Sequence, residues 1–238
     1  MSTMLSFDEK REILRSFLEL REVSISNGRC NYELLNVVTR KRVVAREFAP
    51  TGNGYVLGTP DSIYPVDERG WVNIKNLDEI QLRKTIRQAI MALKTTDFRH
   101  RYAALLKDSG LLPLTSGVWQ HFTLKHQPPT DPGETEQTRK VIDHQVDDAN
   151  GLYVYTQQDG TVLYVGKAKP LKNRMWSHYL ESFQTVKGGT KDNRWHRFFS
   201  SHQGTVIVYW AEIEDEEVRK ILERMLTLEL MPLFIDFH

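Results

Sequence analysis

Tyr153, Tyr164, Lys167, Arg174 and His178 fall within one short stretch of this chain. Together they offer two phenolic donors, fixed positive charge, and one imidazole that titrates near neutrality. Phosphodiester hydrolysis needs such a set. A water must lose a proton, a five-coordinate transition state gathers negative charge on its equatorial oxygens, and the leaving alkoxide must be stabilised. Arg174 would grip the phosphate with two parallel N–H donors. The cluster lacks a hard-oxygen ligand for a divalent cation, and Glu223 is the candidate. It falls on a helix expected from about Asp215 to Glu229, beside the apolar seam of Ile221, Leu222, Met225, Leu226 and Leu228. One carboxylate plus waters is a common way to hold magnesium, Mg2+, and manganese (Mn2+) would accept the same oxygens.

The elements that must position these groups are legible around them. Between Tyr153 and Tyr164 run two β-rich segments, Val154 to Gln157 and Thr161 to Leu163, broken by Asp159-Gly160, a strong hairpin signal. The hairpin would set the two tyrosines on adjacent strands, and Arg174 and His178 would follow one turn apart on a helix. Each residue alone has a plainer reading: strand tyrosines pack, lysines line solvated loops, and one acid on an acidic helix is ordinary. Glu229 competes with Glu223 as the carboxylate.

Composition bounds the class. The chain has 238 residues, 40% hydrophobic and 26% charged, which is ordinary globular usage. No run of about 18 apolar residues occurs, and no basic segment followed by an apolar stretch opens the chain. The single cysteine, Cys30, excludes an internal disulfide framework and a cysteine-rich zinc site. These features lead to the expectation of no membrane association and a cytoplasmic location in a bacterial or phage-type setting.

The net charge of +1 hides a strong polarity. From Tyr164 to Arg197 there are eight Lys/Arg against two acids, whereas Glu212 to Glu217 is acidic at five of six positions. Such a split suits a surface that meets phosphates on one side. Lys169, Lys172, Arg194 and Arg197, with Arg40, Lys41 and Arg42 nearer the N-terminus, are the candidate DNA contacts. The aromatic and basic mixture from Arg194 to His202 reads first as core packing.

Along the chain, punctuation suggests two folded units. Ser6-Phe7-Asp8-Glu9 has the capping-box form, so a first helix is predicted from about residue 7 to 20, with Ile13, Leu14, Phe17 and Leu18 on its apolar face. Strands are predicted at Asn31 to Val38, Lys41 to Phe48, Gly54 to Gly58 and Gly70 to Ile74. Asp78 opens a second helix, with Ile80, Leu82, Ile86, Ile90, Met91 and Leu93 on one face; a third is predicted from Phe98 to about Lys107. The reading is therefore an α+β unit over 1–110, a Pro-rich connector over 111–148 and a second α+β unit over 149–238. Within the connector, Val118, Trp119, Phe122 and Leu124 are apolar enough to pack as a strand or strap.

Residues 151–238 resemble a GIY-YIG endonuclease domain. The first tripeptide reads Gly151-Leu152-Tyr153 and the second Tyr164-Val165-Gly166. The continuation from Gly166 to Arg174 is similar to the incision nucleases of nucleotide-excision repair. Arg174 falls at the family's arginine, His178 at its His or Tyr position, and Glu223, nine residues before Pro232, at its metal-binding glutamate. The resemblance implies a small central antiparallel sheet of three strands flanked by helices, one divalent cation on Glu223, and hydrolysis of one DNA strand per active site. It implies that Tyr153 activates water, assisted by Tyr164 and Lys167. One position departs: the family often has asparagine three residues after the proline, where this chain has Ile235 and then Asp236.

The leading expectation is a metal-dependent DNA endonuclease whose N-terminal unit selects the target, as in restriction or homing enzymes. A structure-specific repair or recombination nuclease is the alternative, and a catalytically inactive DNA-binding protein the third. A duplex break from one active site per chain would need a homodimer on DNA or two sequential nicks.

Overall fold

The computed structural model describes residues 5–183 and 194–235. Lys187, Lys191, Asp192 and Asp236, and the side chain of Arg194, lie outside the described residues. The chain is α+β and divides into two compact units, Met1–Arg101 and Tyr102–His238.

The first unit is a five-stranded antiparallel sheet in the order β1-β2-β3-β4-β5 with two helices. Helix α1 (Phe7–Arg15) starts at a complete capping box, in which Ser6 and Glu9 satisfy each other's backbone N–H groups. It ends earlier than the sequence suggests. Ser16 caps it and its hydroxyl donates back to the Ile13 carbonyl, and the chain turns through Phe17 into β1 (Leu20–Ser24), a strand absent from the sequence reading. Leu18, read as part of the apolar face, is exposed. The next strands are β2 (Cys30–Leu34), β3 (Val43–Phe48), β4 (Tyr55–Leu57) and β5 (Trp71–Asn73), shorter than predicted but in the same places. Buried Lys10 fixes α1 to the loops, its ammonium donating to the carbonyls of Gly52, Ile74 and Lys75.

One helix, α2 (Glu79–Ser109), replaces the two predicted. The polar stretch that reads as a break stays helical because its side chains find partners. Thr96 donates to the Ala92 carbonyl, and Asp97 accepts from the backbone N–H groups of Val38 and Thr39 and from Arg101. Leu82, Ile86, Ala89, Ile90 and Leu93 are buried in the first core, whereas Ile80 and Met91 are exposed.

The second unit has a four-stranded antiparallel sheet, ordered β6-β9-β7-β8. Strand β6 (Gln120–His126) comes from the segment read as a connector, pairs along its whole length with β9 (Gly204–Glu212), and buries Phe122, Leu124 and His126 on alternating positions. The sheet thus has four strands, one more than the resemblance implies. Helix α3 (Pro132–Gln145) also lies in that segment, capped by Asp131 with Pro132 at its first position. The remaining elements are β7 (Gly151–Gln157), β8 (Val162–Ala168), α4 (Leu171–Phe183), α5 (Arg194–Ser201) and α6 (Glu216–Leu230). Among the described residues no helix is long and apolar enough to cross a membrane.

Candidate active site

The β7–β8 hairpin turns at Asp159-Gly160. Gly160 takes φ 89°, and the Asp159 carboxylate accepts from Thr161 N–H at 2.9 Å. The register pairs Tyr153 with Gly166 and Tyr155 with Tyr164, so all three tyrosines share one face of the sheet. The rings of Tyr153 and Tyr164 stand 5.9 Å apart, centre to centre. Gly166 is what lets them close: a Cβ there would sit 2.5 Å from the Tyr153 hydroxyl and 2.6 Å from the Tyr164 ring. Gly151 serves the backbone, since a Cβ would lie 2.1 Å from the Ala211 carbonyl oxygen on β9.

Helix α4 carries Arg174 and, one turn later, His178. The His178 imidazole is fully buried with Nε2 2.5 Å from the Tyr153 hydroxyl. Trp195 of α5 stacks on a face of the imidazole, 3.7 Å between centres and 18° between planes. Its indole N–H lies 3.1 Å from the His178 carbonyl and 3.0 Å from Ser182 Oγ. Ser182 donates its proton to the His178 carbonyl at 2.7 Å, so the 3.1 Å contact with His126 Nε2 requires His126 as donor.

Burial, reinforced by the Arg174 charge, pushes the His178 pKa well below its ordinary value, and the ring is neutral. Burial pushes the Tyr153 hydroxyl well up, opposed by the nearby charge of Arg174. In the tautomer with its proton on Nδ1, the neutral imidazole accepts the phenolic proton at Nε2.

A cavity of about 500 Å³ opens in front of Tyr153. Tyr153, Tyr164, Lys167 and Arg174 line it from the hairpin and α4, and Glu223 from α6. Five of the six candidates thus meet in one cavity. His178 does not line it and lies behind Tyr153, reaching the cavity only through the Tyr153 hydroxyl. Glu223 is the one carboxylate of that lining, and Glu229 is exposed outside it. Among the described residues no group of three or more His, Cys, Asp or Glu is placed to hold a metal ion. One carboxylate beside two phenols fits a hard cation that keeps most of its waters, and does not fit a zinc site.

The candidate DNA contacts are dispersed. Lys169 lines an adjoining groove, Lys172 is half-buried on α4, and Arg197 is exposed on α5; none lines the cavity. Arg40, Lys41 and Arg42 are exposed in the first unit between β2 and β3, where Arg42 pairs with Glu33 at 3.1 Å. Sequence reasoning missed Ser182, Trp195 and His126 behind the cavity, and Lys220 and Arg224 on its rim. Trp195 and His126 carried only a burial signal, and Ser182 none.

Residues 149–209 match the family described as the UvrC-like GIY-YIG domain. The UvrABC system protein C of Streptococcus mutans is 41% identical over 49 residues, 19% of this chain and 8% of the relative. That of Bacteroides fragilis is 37% identical over 54 residues, 23% of this chain and 9% of the relative. The similarity thus spans less than a tenth of the curated relatives' length. The C-terminal part of this chain carries a GIY-YIG endonuclease domain similar to that of UvrC.

Proposed function

We propose that the protein is a divalent-metal-dependent DNA endonuclease that cuts one strand per active site, with target choice set by the N-terminal unit. The observation that carries this reading is the convergence of Tyr153, Tyr164, Lys167, Arg174 and Glu223 on one cavity, with a buried neutral imidazole directly behind Tyr153. Tyr153 takes a proton from the attacking water while passing its own to His178. The raised pKa of Tyr153 makes a free phenolate scarce, so the two transfers are coupled. Arg174 holds the phosphate and its developing charge, and Lys167 neutralises a second oxygen. Tyr164 orders the oxygens beside Tyr153. Glu223 would hold magnesium or manganese, which supplies Lewis-acid stabilisation of the leaving group when bound.

A second reading, a structure-specific repair nuclease, is favoured by the likeness to UvrC. The two separate on substrate. Plain genomic or phage duplex cut at defined sites with magnesium supports target selection of the restriction or homing type. Cleavage confined to bubbled or branched duplexes supports the repair reading, and no cleavage of any DNA overturns both.

A further inference from the structure

Beside the active-site cavity lies a second, open groove of about 640 Å³ that shares Lys167 and Arg174 with it. It adds two more cations, Lys169 and Arg219, and only one acid, Glu216. Arg219 is 1% exposed, an unusual depth for a guanidinium. One end is anchored, with Nη1 donating to the carbonyls of Ile213 at 2.6 Å and Glu214 at 2.9 Å, while Nε has no hydrogen-bond partner. The rigid guanidinium is presented to the groove's single carboxylate. Glu216 accepts from Arg219 Nη2 and from Lys167 Nζ at 3.3 Å, with Lys220 Nζ at 3.9 Å. Three cations from two elements therefore converge on one anion, a geometry suited equally to phosphate.

Glu216 differs from its partners in mobility. Its side chain is 44% exposed on the first turn of α6, so rotation outward into water is open to it, whereas Arg219 is held by backbone. We infer that this groove is the seat of a second backbone phosphate, flanking the scissile one, and that the Glu216 carboxylate occupies it until DNA displaces it. The inference deepens the nuclease reading and rests on it for the identity of the strand. Glu216 sets the affinity for that phosphate by competing with it.

The test is binding, in the absence of divalent metal, of the full-length protein to a DNA oligonucleotide. Glu216→Gln keeps the shape and removes the anion. Glu217→Gln makes the same change in net charge one residue away, at a side chain that pairs with Lys220 and does not line the groove. Thermal melting checks that both variants fold. Glu216→Gln should bind about five- to tenfold more tightly, and a single neutral methylphosphonate linkage beside the cut site should abolish that gain. Glu217→Gln should change affinity by less than about twofold. Equal gains from both variants, no gain from Glu216→Gln, or a gain indifferent to every neutral linkage would overturn the inference. Because affinity is read without cleavage, failure here is distinct from failure of wild-type protein to cut DNA with magnesium.

Discussion

Tyr153 stands between a fixed cation and a buried neutral base, and its chemistry follows from both. In the proposed mechanism Arg174 acts on transition-state charge and Glu223 on the metal, so Arg174→Ala and Glu223→Gln should each lower cleavage by at least about a hundredfold while leaving DNA affinity nearly unchanged. Quenched-flow cleavage alongside filter binding separates the two effects. The pKa of His178 is depressed, so its basic form persists as pH falls through 6.5, the ordinary histidine value. The pH–rate profile of the wild type should therefore show no loss centred there, and a profile inflecting at 6.5 would remove His178 from the proton path. The side chains lining the cavity could be read from spacing, since the hairpin and helix periods fix where each points. That His178 stands behind Tyr153 could not, because its burial depends on Trp195 and Ser182 closing over it.

At the level of elements, the glycine of the second tripeptide is a packing requirement. Gly166→Ala would drive a methyl group into the rings of Tyr153 and Tyr164, so it should abolish cleavage through displaced tyrosines, visible as altered near-ultraviolet circular dichroism in a still-folded protein. Strand β6 brings a different consequence. Burial holds His126 at about 3 in the folded state, against an ordinary 6.5. The unfolded chain binds this proton below about 6.5 and the folded chain does not until about 3, so stability present above 6.5 is lost as pH falls through that window. Denaturant melts should lose about 1.4 kcal/mol per pH unit from this group, and His126→Phe should flatten that slope. The hairpin and α6 were legible because apolar alternation and caps agree with the final burial, whereas β6 showed only as an apolar strand or strap inside a segment read as a connector. The end of α1 and the continuity of α2 were not: a serine hydroxyl stops the first, and loop amides outside the helix satisfy Asp97 within the second.

For the molecule as a whole, charge is arranged more tellingly than its sum suggests. Cations from the hairpin, α4 and α6 meet around two adjoining recesses, and acids at the start of α6 answer them. The sequence displayed this polarity as blocks along the chain, but only the fold brings Glu216 between Lys167 and Arg219. The first unit offers exposed basic residues and a core of its own. A chain lacking residues 1–101 should keep metal-dependent cleavage and lose preference among DNA targets, measured as the distribution of cut sites on a long duplex. Metal-dependent strand cleavage at this site is tested most directly by conversion of supercoiled plasmid to the nicked form by the full-length protein with magnesium, beside Arg174→Ala and a chelator control. Nicking by the wild type alone, abolished by chelation, is the expected result. Nicking that survives Arg174→Ala or proceeds with the metal chelated would contradict it.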